Sequence, residues 1–200
     1  MLRQTEKLER ALLIGGMCLA GLGACSASDQ GEETANLFDT LQTYCGQAFE
    51  GRVTSDDPRD ADWASQTLVM HVRECSSDEI RIPLHVGEDR SRTWVLTRTD
   101  DGFRLKHDHR HEDGSEDVLT QYGGDSSTVT ATRIEFPADA FSRDLFVREN
   151  IPDSAQNTWL MEIAGETFIY GLDRPERTFR AEFDLSEPVS APPPPWGFED

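Results

Sequence analysis

Positive charge is scarce in this chain. Its 200 residues include only two lysines, Lys7 and Lys106, and 19 basic residues in all, against 38 acidic ones. A body this acidic repels phosphate backbones, whose binding depends on Lys and Arg, and it repels anionic lipid surfaces for the same reason. No nucleic-acid partner is expected. Long apolar runs are lacking too. The run Ala11–Ala20 falls short of the roughly 20 residues a spanning helix needs. Catalytic signatures are missing: the chain has no H-E-x-x-H, no G-x-S-x-G, no P-loop and no dinucleotide fingerprint. Nothing in the motifs therefore points to an enzyme.

What is present begins with an address. Basic residues Arg3, Lys7 and Arg10 precede the apolar run, and Leu22-Gly23-Ala24-Cys25 closes it. A charged start, an apolar stretch and small residues before a cleavage point make a secretory signal. Ordinary cleavage after Ala24 would put Leu22 where a small residue is wanted. The cysteine at that point instead resembles the lipobox of bacterial lipoproteins. The resemblance implies that residues 1–24 are removed and that Cys25 is acylated and anchors the protein in a lipid bilayer. With Ser26 rather than Asp after the cysteine, it also implies the outer membrane. Loss of residues 1–24 would leave 16 basic and 36 acidic residues. Such a body stands off the membrane and is held by acyl chains, two or more of which give stable anchoring.

Cysteine is equally sparse. Of four, Cys18 lies in the leader and Cys25 takes the lipid, leaving Cys45 and Cys75. In an oxidising compartment such a pair is expected as a disulfide, closing a loop of about thirty residues that contributes roughly 3–4 kcal/mol. A metal site is the competing reading, but the pair lacks C-x-x-C spacing.

Residues 25–34 are small and polar and suit a flexible tether. A single domain is expected over 35–187, followed by a proline-rich tail at 188–200. Leu37, Leu41 and Tyr44 recur at helical spacing, so one short helix is predicted over Ala35–Gln47. From Gly51 the period is two. Strands are predicted over Gln66–Cys75, Glu79–Val86, Arg92–Thr99, Phe103–His111, Asp117–Tyr122, Thr128–Phe136, Asp144–Arg148, Thr158–Ile163, Phe168–Leu172 and Phe179–Leu185. Short strands with tight links argue for an all-β antiparallel up-and-down meander. Ten strands with edges to hide argue for closure into a barrel. A helix leading into such a barrel resembles the lipocalin and calycin architecture, although no Gly-x-Trp signature follows the helix.

The richest local pattern surrounds Asp113-Gly114. As a two-residue hairpin it sets Arg110 against Asp117 and His111 against Glu116. Alternation then places Phe103, Leu105 and His107 on the core-facing side, with Tyr122 opposite Leu105. In a small barrel that encloses one ligand, these four residues form the wall of a site for an apolar or amphiphilic small molecule. The alternative is metal. His107 and His109 lie two apart on one strand face, about 6.6–6.8 Å between Cα atoms, and imidazole suits zinc and copper. His111 or Glu116 would complete the set, and Asp117 would face away. Neutral, hydrogen-bonded lumen histidines explain the same pattern without an ion. His71 and His85 are expected at the surface.

Arg90 and Arg92, in the charged turn Gly87–Arg92, suit bidentate capture of a carboxylate. Pairing with their own acidic neighbours is the other reading. The tail carries Pro192–Pro195 and then Trp196-Gly197, and reads as a disordered polyproline end or as a docked Trp196. The blocks GEDRSRTW, HDHRHEDGSED, QYGGD and PPPPWG together resemble a group of secreted bacterial proteins of unknown function, over roughly Gly46 to Gly197. That resemblance implies fold and export, not activity. The sequence thus leads to a lipid-anchored, non-enzymatic binding module. A metal-handling protein or metal-dependent enzyme built on the histidine strand, and a structural envelope lipoprotein, are the alternatives.

Overall fold

A computed structural model describes residues 35–199. The predicted signal, Cys25 and the tether lie outside the described residues. Helix α1 (Leu37–Thr43) starts at Asn36, whose side chain accepts from the Asp39 N–H while Asp39 accepts from the Asn36 N–H. This capping box satisfies two orphan donors. Seven residues are too few for a helix stable by itself. What holds α1 is burial of Leu37, Phe38 and Leu41, worth about 1.5–3 kcal/mol per large apolar side chain. The Cys45–Cys75 disulfide then ties the chain just beyond α1 to strand β3 (Glu74–Cys75).

The body is one antiparallel sheet, curled into a barrel-like shape around the apolar core. Its other strands are β1 (Ala48–Val53), β2 (Leu68–His71), β4 (Glu79–Val86), β5 (Asp89–Thr99), β6 (Gly102–His109), β7 (Tyr122–Asp125), β8 (Thr128–Val129), β9 (Arg133–Pro137), β10 (Thr158–Ala164), β11 (Thr167–Arg174) and β12 (Arg177–Val189). The order β7-β6-β5-β4-β2-β1-β12-β11-β10-β9-β8 is the expected meander, and β3 pairs only with β4. The first and last strands are neighbours: Gly51 lies opposite Phe183. Gly51 has to be glycine, because a Cβ there would come within 2.4 Å of the Glu182 carbonyl.

The two ends of this order meet at a seam. The Asp139 N–H donates to the Gly123 carbonyl and the Ser127 N–H to the Glu135 carbonyl, both at 2.9 Å. Pro137, which has no N–H to give, interrupts the ladder between them. Added Cβ atoms would lie 1.9 Å from the Leu105 carbonyl at Gly123 and 1.8 Å from the Pro137 carbonyl at Gly124. Of the Gly-Gly pair of QYGGD, Gly123 is thus required for β7 to lie on β6 and Gly124 for the edges to touch.

Several predicted elements are corrected. Asp144–Arg148 is not a strand; it belongs to helix α3 (Ala140–Arg148), capped by Asp139 and burying Ser142, Leu145 and Phe146. Thr128–Phe136 is not one strand but the tight hairpin β8–β9. Strand β1 and the short helix α2 (Ala61–Ala64) precede the first predicted strand. Asp117–Gln121 bulges out of the sheet, so that β7 begins at Tyr122 and pairs it with His107.

The Asp113-Gly114 turn holds three residues, not two. The His111 N–H donates to the Ser115 carbonyl, the Gly114 N–H to the His111 carbonyl, and Gly114 has φ +83°. Arg110 therefore opposes Glu116, one residue off the predicted register. A one-residue slip moves every side chain to the other face. Asp117, expected to face away, accordingly sits 3.8 Å from the His111 ring.

The tail is docked rather than disordered. The Trp196 N–H donates to the Arg90 carbonyl, Arg90 Nη1 to the Pro194 carbonyl and Arg73 Nη2 to the Glu199 carbonyl. Phe198 lies under the guanidinium groups of Arg73 and Arg110, at 5.9 and 5.3 Å from its ring centre. Outward-facing residues of β4–β6, among them Pro83, His85, Thr93 and Asp108, are buried. His85 is only 4 % exposed, contrary to the surface position expected for it. His71 is half-buried.

Candidate ligand cavity

The two ends of the curled sheet are closed differently. At one end Phe38 of α1 stacks on Phe103 at the start of β6, with ring centres 5.6 Å apart. At the other, where β6 and β11 end and β5, β7, β10 and β12 begin, a cavity of about 340 Å³ opens. Its walls include Trp94, Trp159, Tyr170, Tyr122, Phe146 and Phe179. Trp63, from the segment joining β1 to β2, meets Phe179 edge-on at 5.5 Å and overhangs the mouth.

The floor is polar but satisfied. His107 Nδ1 lies 3.0 Å from the Tyr122 carbonyl. A carbonyl only accepts, so Nδ1 carries the proton and Nε2 accepts from the Tyr170 hydroxyl at 2.7 Å. The His107 ring also stacks on Tyr122 at 4.4 Å. Burial drives its pKa down to about 3, against a weaker opposing pull from the Tyr122 carbonyl. Burial likewise pushes the Tyr122 phenol up to about 12 and the Tyr170 phenol well above its usual range. All three are neutral at physiological pH.

Charge enters at the rim. Arg92 and His109 face each other across β5 and β6. The Arg92 guanidinium sits 4.9 Å over the Trp63 ring, and its Nη1 donates to Asp89. His109 Nε2 lies 3.5 Å from Ser91 Oγ, and its Nδ1 is buried without a protein partner. Burial first, and then Arg92, lower the His109 pKa. On the opposite side Arg177 donates twice to the buried carboxylate of Asp60 and lies 3.3 Å from Asp57.

Of the four residues predicted as ligand wall, the structure places His107 and Tyr122 on the cavity. Phe103 and Leu105 are corrected: they fill the core nearer α1, Phe103 against Phe38 and Leu105 fully buried. The predicted zinc or copper set does not assemble. His107 has both ring nitrogens engaged. The His111 side chain is 57 % exposed beyond the end of β6. Glu116 faces Arg110 at 3.8 Å and accepts from Gln121 Nε2. Among the described residues no three His, Cys, Asp or Glu side chains converge on a metal position. His111 lies beyond the end of β6, and the slipped register sets Glu116 against Arg110 instead of His111.

Sequence reasoning missed most of the cavity. Trp159, Phe146, Tyr170, Phe179 and Trp63 come from segments far apart in the chain and meet only when the sheet curls. Arg92 did carry a signal, in its pairing with Arg90 within one turn. The structure separates the two: Arg92 turns into the cavity while Arg90 holds the tail. No family model matches the chain, and no match is found among curated proteins or solved structures.

Proposed function

We propose that this protein is a lipid-anchored component of a bacterial envelope, of the outer membrane by its Ser26, and that its domain binds a small apolar or amphiphilic molecule without chemical turnover. One observation carries the binding reading: a cavity of about 340 Å³ whose walls combine seven aromatic side chains with four aliphatic ones and a polar rim. Ligand sites are concave and mostly apolar, with a few placed polar groups, and span roughly 300–1,000 Å³. That volume suits a compact molecule. The neutral, fully engaged His107 and Tyr170 add polarity to the floor without offering a proton at physiological pH, which favours binding over acid–base chemistry. The anchor rests on Leu22–Cys25.

Titration with the fluorescent apolar probe N-phenyl-1-naphthylamine tests the binding reading. One equivalent is expected to bind with enhanced probe emission. Leu172→Trp, which adds volume among the lining residues, should abolish the signal. Absence of binding to the unmutated protein overturns the reading. For the anchor, Cys25→Ala should move the protein from the membrane to the soluble fraction of the cells that produce it.

A further inference from the structure

The cavity has one polar corner whose hydrogen-bonding capacity is unspent. Arg92 reaches it from β5 and donates from Nη1 to Asp89. Among the described residues its Nε and Nη2 have no protein acceptor, although the guanidinium is five donors in a rigid fork. The Trp63 ring beneath it fixes the orientation of that fork.

The other charged groups of the lining are committed. Arg177 is held by Asp60 and Asp57, and Arg59, also in the lining, by the Asp57 carboxylate and the Glu176 carbonyl. Asp60 is the only acidic residue among the lining residues, and Arg177 and the Ser55 hydroxyl already occupy it. A cationic ligand would find no available carboxylate. A purely apolar one would bury the Arg92 donors unpaired, which is costly. His107 and Tyr170 need no further partner, since they satisfy each other.

We infer that the ligand is a small monocarboxylate with a compact aromatic or hydrocarbon body, its carboxylate on Arg92 and its body against the part-exposed Leu119, Tyr122 and Leu172 side chains. This inference rests on the binding reading above. The paired acids Asp89, Asp60 and Asp57 largely cancel the local arginine charge. Selection therefore comes from directed donors on one guanidinium, not from a positive field, and a single carboxylate is the group that fits.

Isothermal titration of the purified protein with 4-phenylbutanoate and its neutral isostere 4-phenylbutanamide separates the possibilities. The carboxylate is expected to bind at least tenfold more tightly, the order of a hydrogen bond to a charged group. Arg92→Gln should bring the two dissociation constants within twofold of each other. Asp89→Asn, which removes the carboxylate charge that competes for Arg92, should tighten carboxylate binding severalfold. Equal affinities in the unmutated protein, or a preference for the amide, overturn the inference while leaving the cavity reading intact. If neither compound binds but N-phenyl-1-naphthylamine does, the carboxylate inference alone falls. If none of the three binds, both fall.

Discussion

The buried hydroxyl of Ser142 accepts from the Gly123 N–H at 2.8 Å and donates to the Gly123 carbonyl at 2.9 Å. One side chain of α3 thus takes the place of a β-ladder partner at the seam. Ser142→Ala would leave the Gly123 N–H unpaired inside the protein. The expected cost is about 1–3 kcal/mol, read as a lower urea midpoint with an unchanged slope. An unchanged midpoint would mean that the seam does not depend on this pair.

Gly124→Ala should be worse. Its Cβ would meet the Pro137 carbonyl, a backbone atom with nowhere to retreat, at 1.8 Å. Overpacking costs typically 1–3 kcal/mol, and about 3 kcal/mol or more is expected where backbone meets backbone. The seam should open as well as weaken, so amide exchange at Asp139, whose N–H is bonded to Gly123, should accelerate more than exchange at β11.

Acid should destabilise the fold well above the carboxylate range. Burial lowers the pKa of His107 to about 3 and of His85 to about 4, whereas an unfolded histidine titrates near 6.5. Between those values the unfolded chain binds the extra protons, so the stability present above pH 6.5 is lost as pH falls. At pH 5 each of the two histidines should have removed about 2 kcal/mol. His85 Nε2 has no partner. His85→Leu should therefore reduce the loss between pH 7 and 5 by about 2 kcal/mol without lowering stability at pH 7. Equal pH dependence in variant and unmutated protein would refute this.

The tail should behave as part of the fold. Phe198 interacts with two guanidinium groups, each such contact contributing about 0.5–1 kcal/mol at an exposed site. Phe198→Ala is expected to cost about 1–2 kcal/mol. It should also speed exchange of the His111 N–H in the hairpin that Arg110 adjoins. Exchange at the level of the unmutated protein would show that the hairpin stands without the tail.

How much of this was legible in the sequence differs from element to element, for physical reasons. Glu79–Val86 coincides with β4, because Ile80, Ile82, Leu84 and Val86 alternate and one buried face enforces the period. The meander followed from the short connections. Helix α3 was hidden because Leu145, Phe146 and Val147 form an apolar triplet that reads as strand. Its helical stripe, Ser142, Leu145 and Phe146, includes a serine, while Phe141 and Val147 are exposed. The cap at Asp139 was the available signal. At Asp113-Gly114 the dipeptide announced a hairpin, but a left-handed glycine serves a three-residue loop as well as a two-residue one. The cavity could not be assembled from local pattern. Arg92, Trp159 and Arg177 are brought together by closure of the sheet, which no window of sequence contains.

That closure also sets a timetable. Gly51 has its partner in Phe183, so β1 waits until β12 has been synthesised before that edge is covered. Until β12 arrives, β1 offers unpaired backbone groups to any passing strand, and the pairing that ends this exposure is among the longest in sequence that the fold contains. Contacts of such range form slowly. A chain built this way gains from being kept unfolded until β12 has been made. Shortening it from its C-terminal end beyond Phe183 would withdraw the partner of Gly51, and with it the continuity of the sheet.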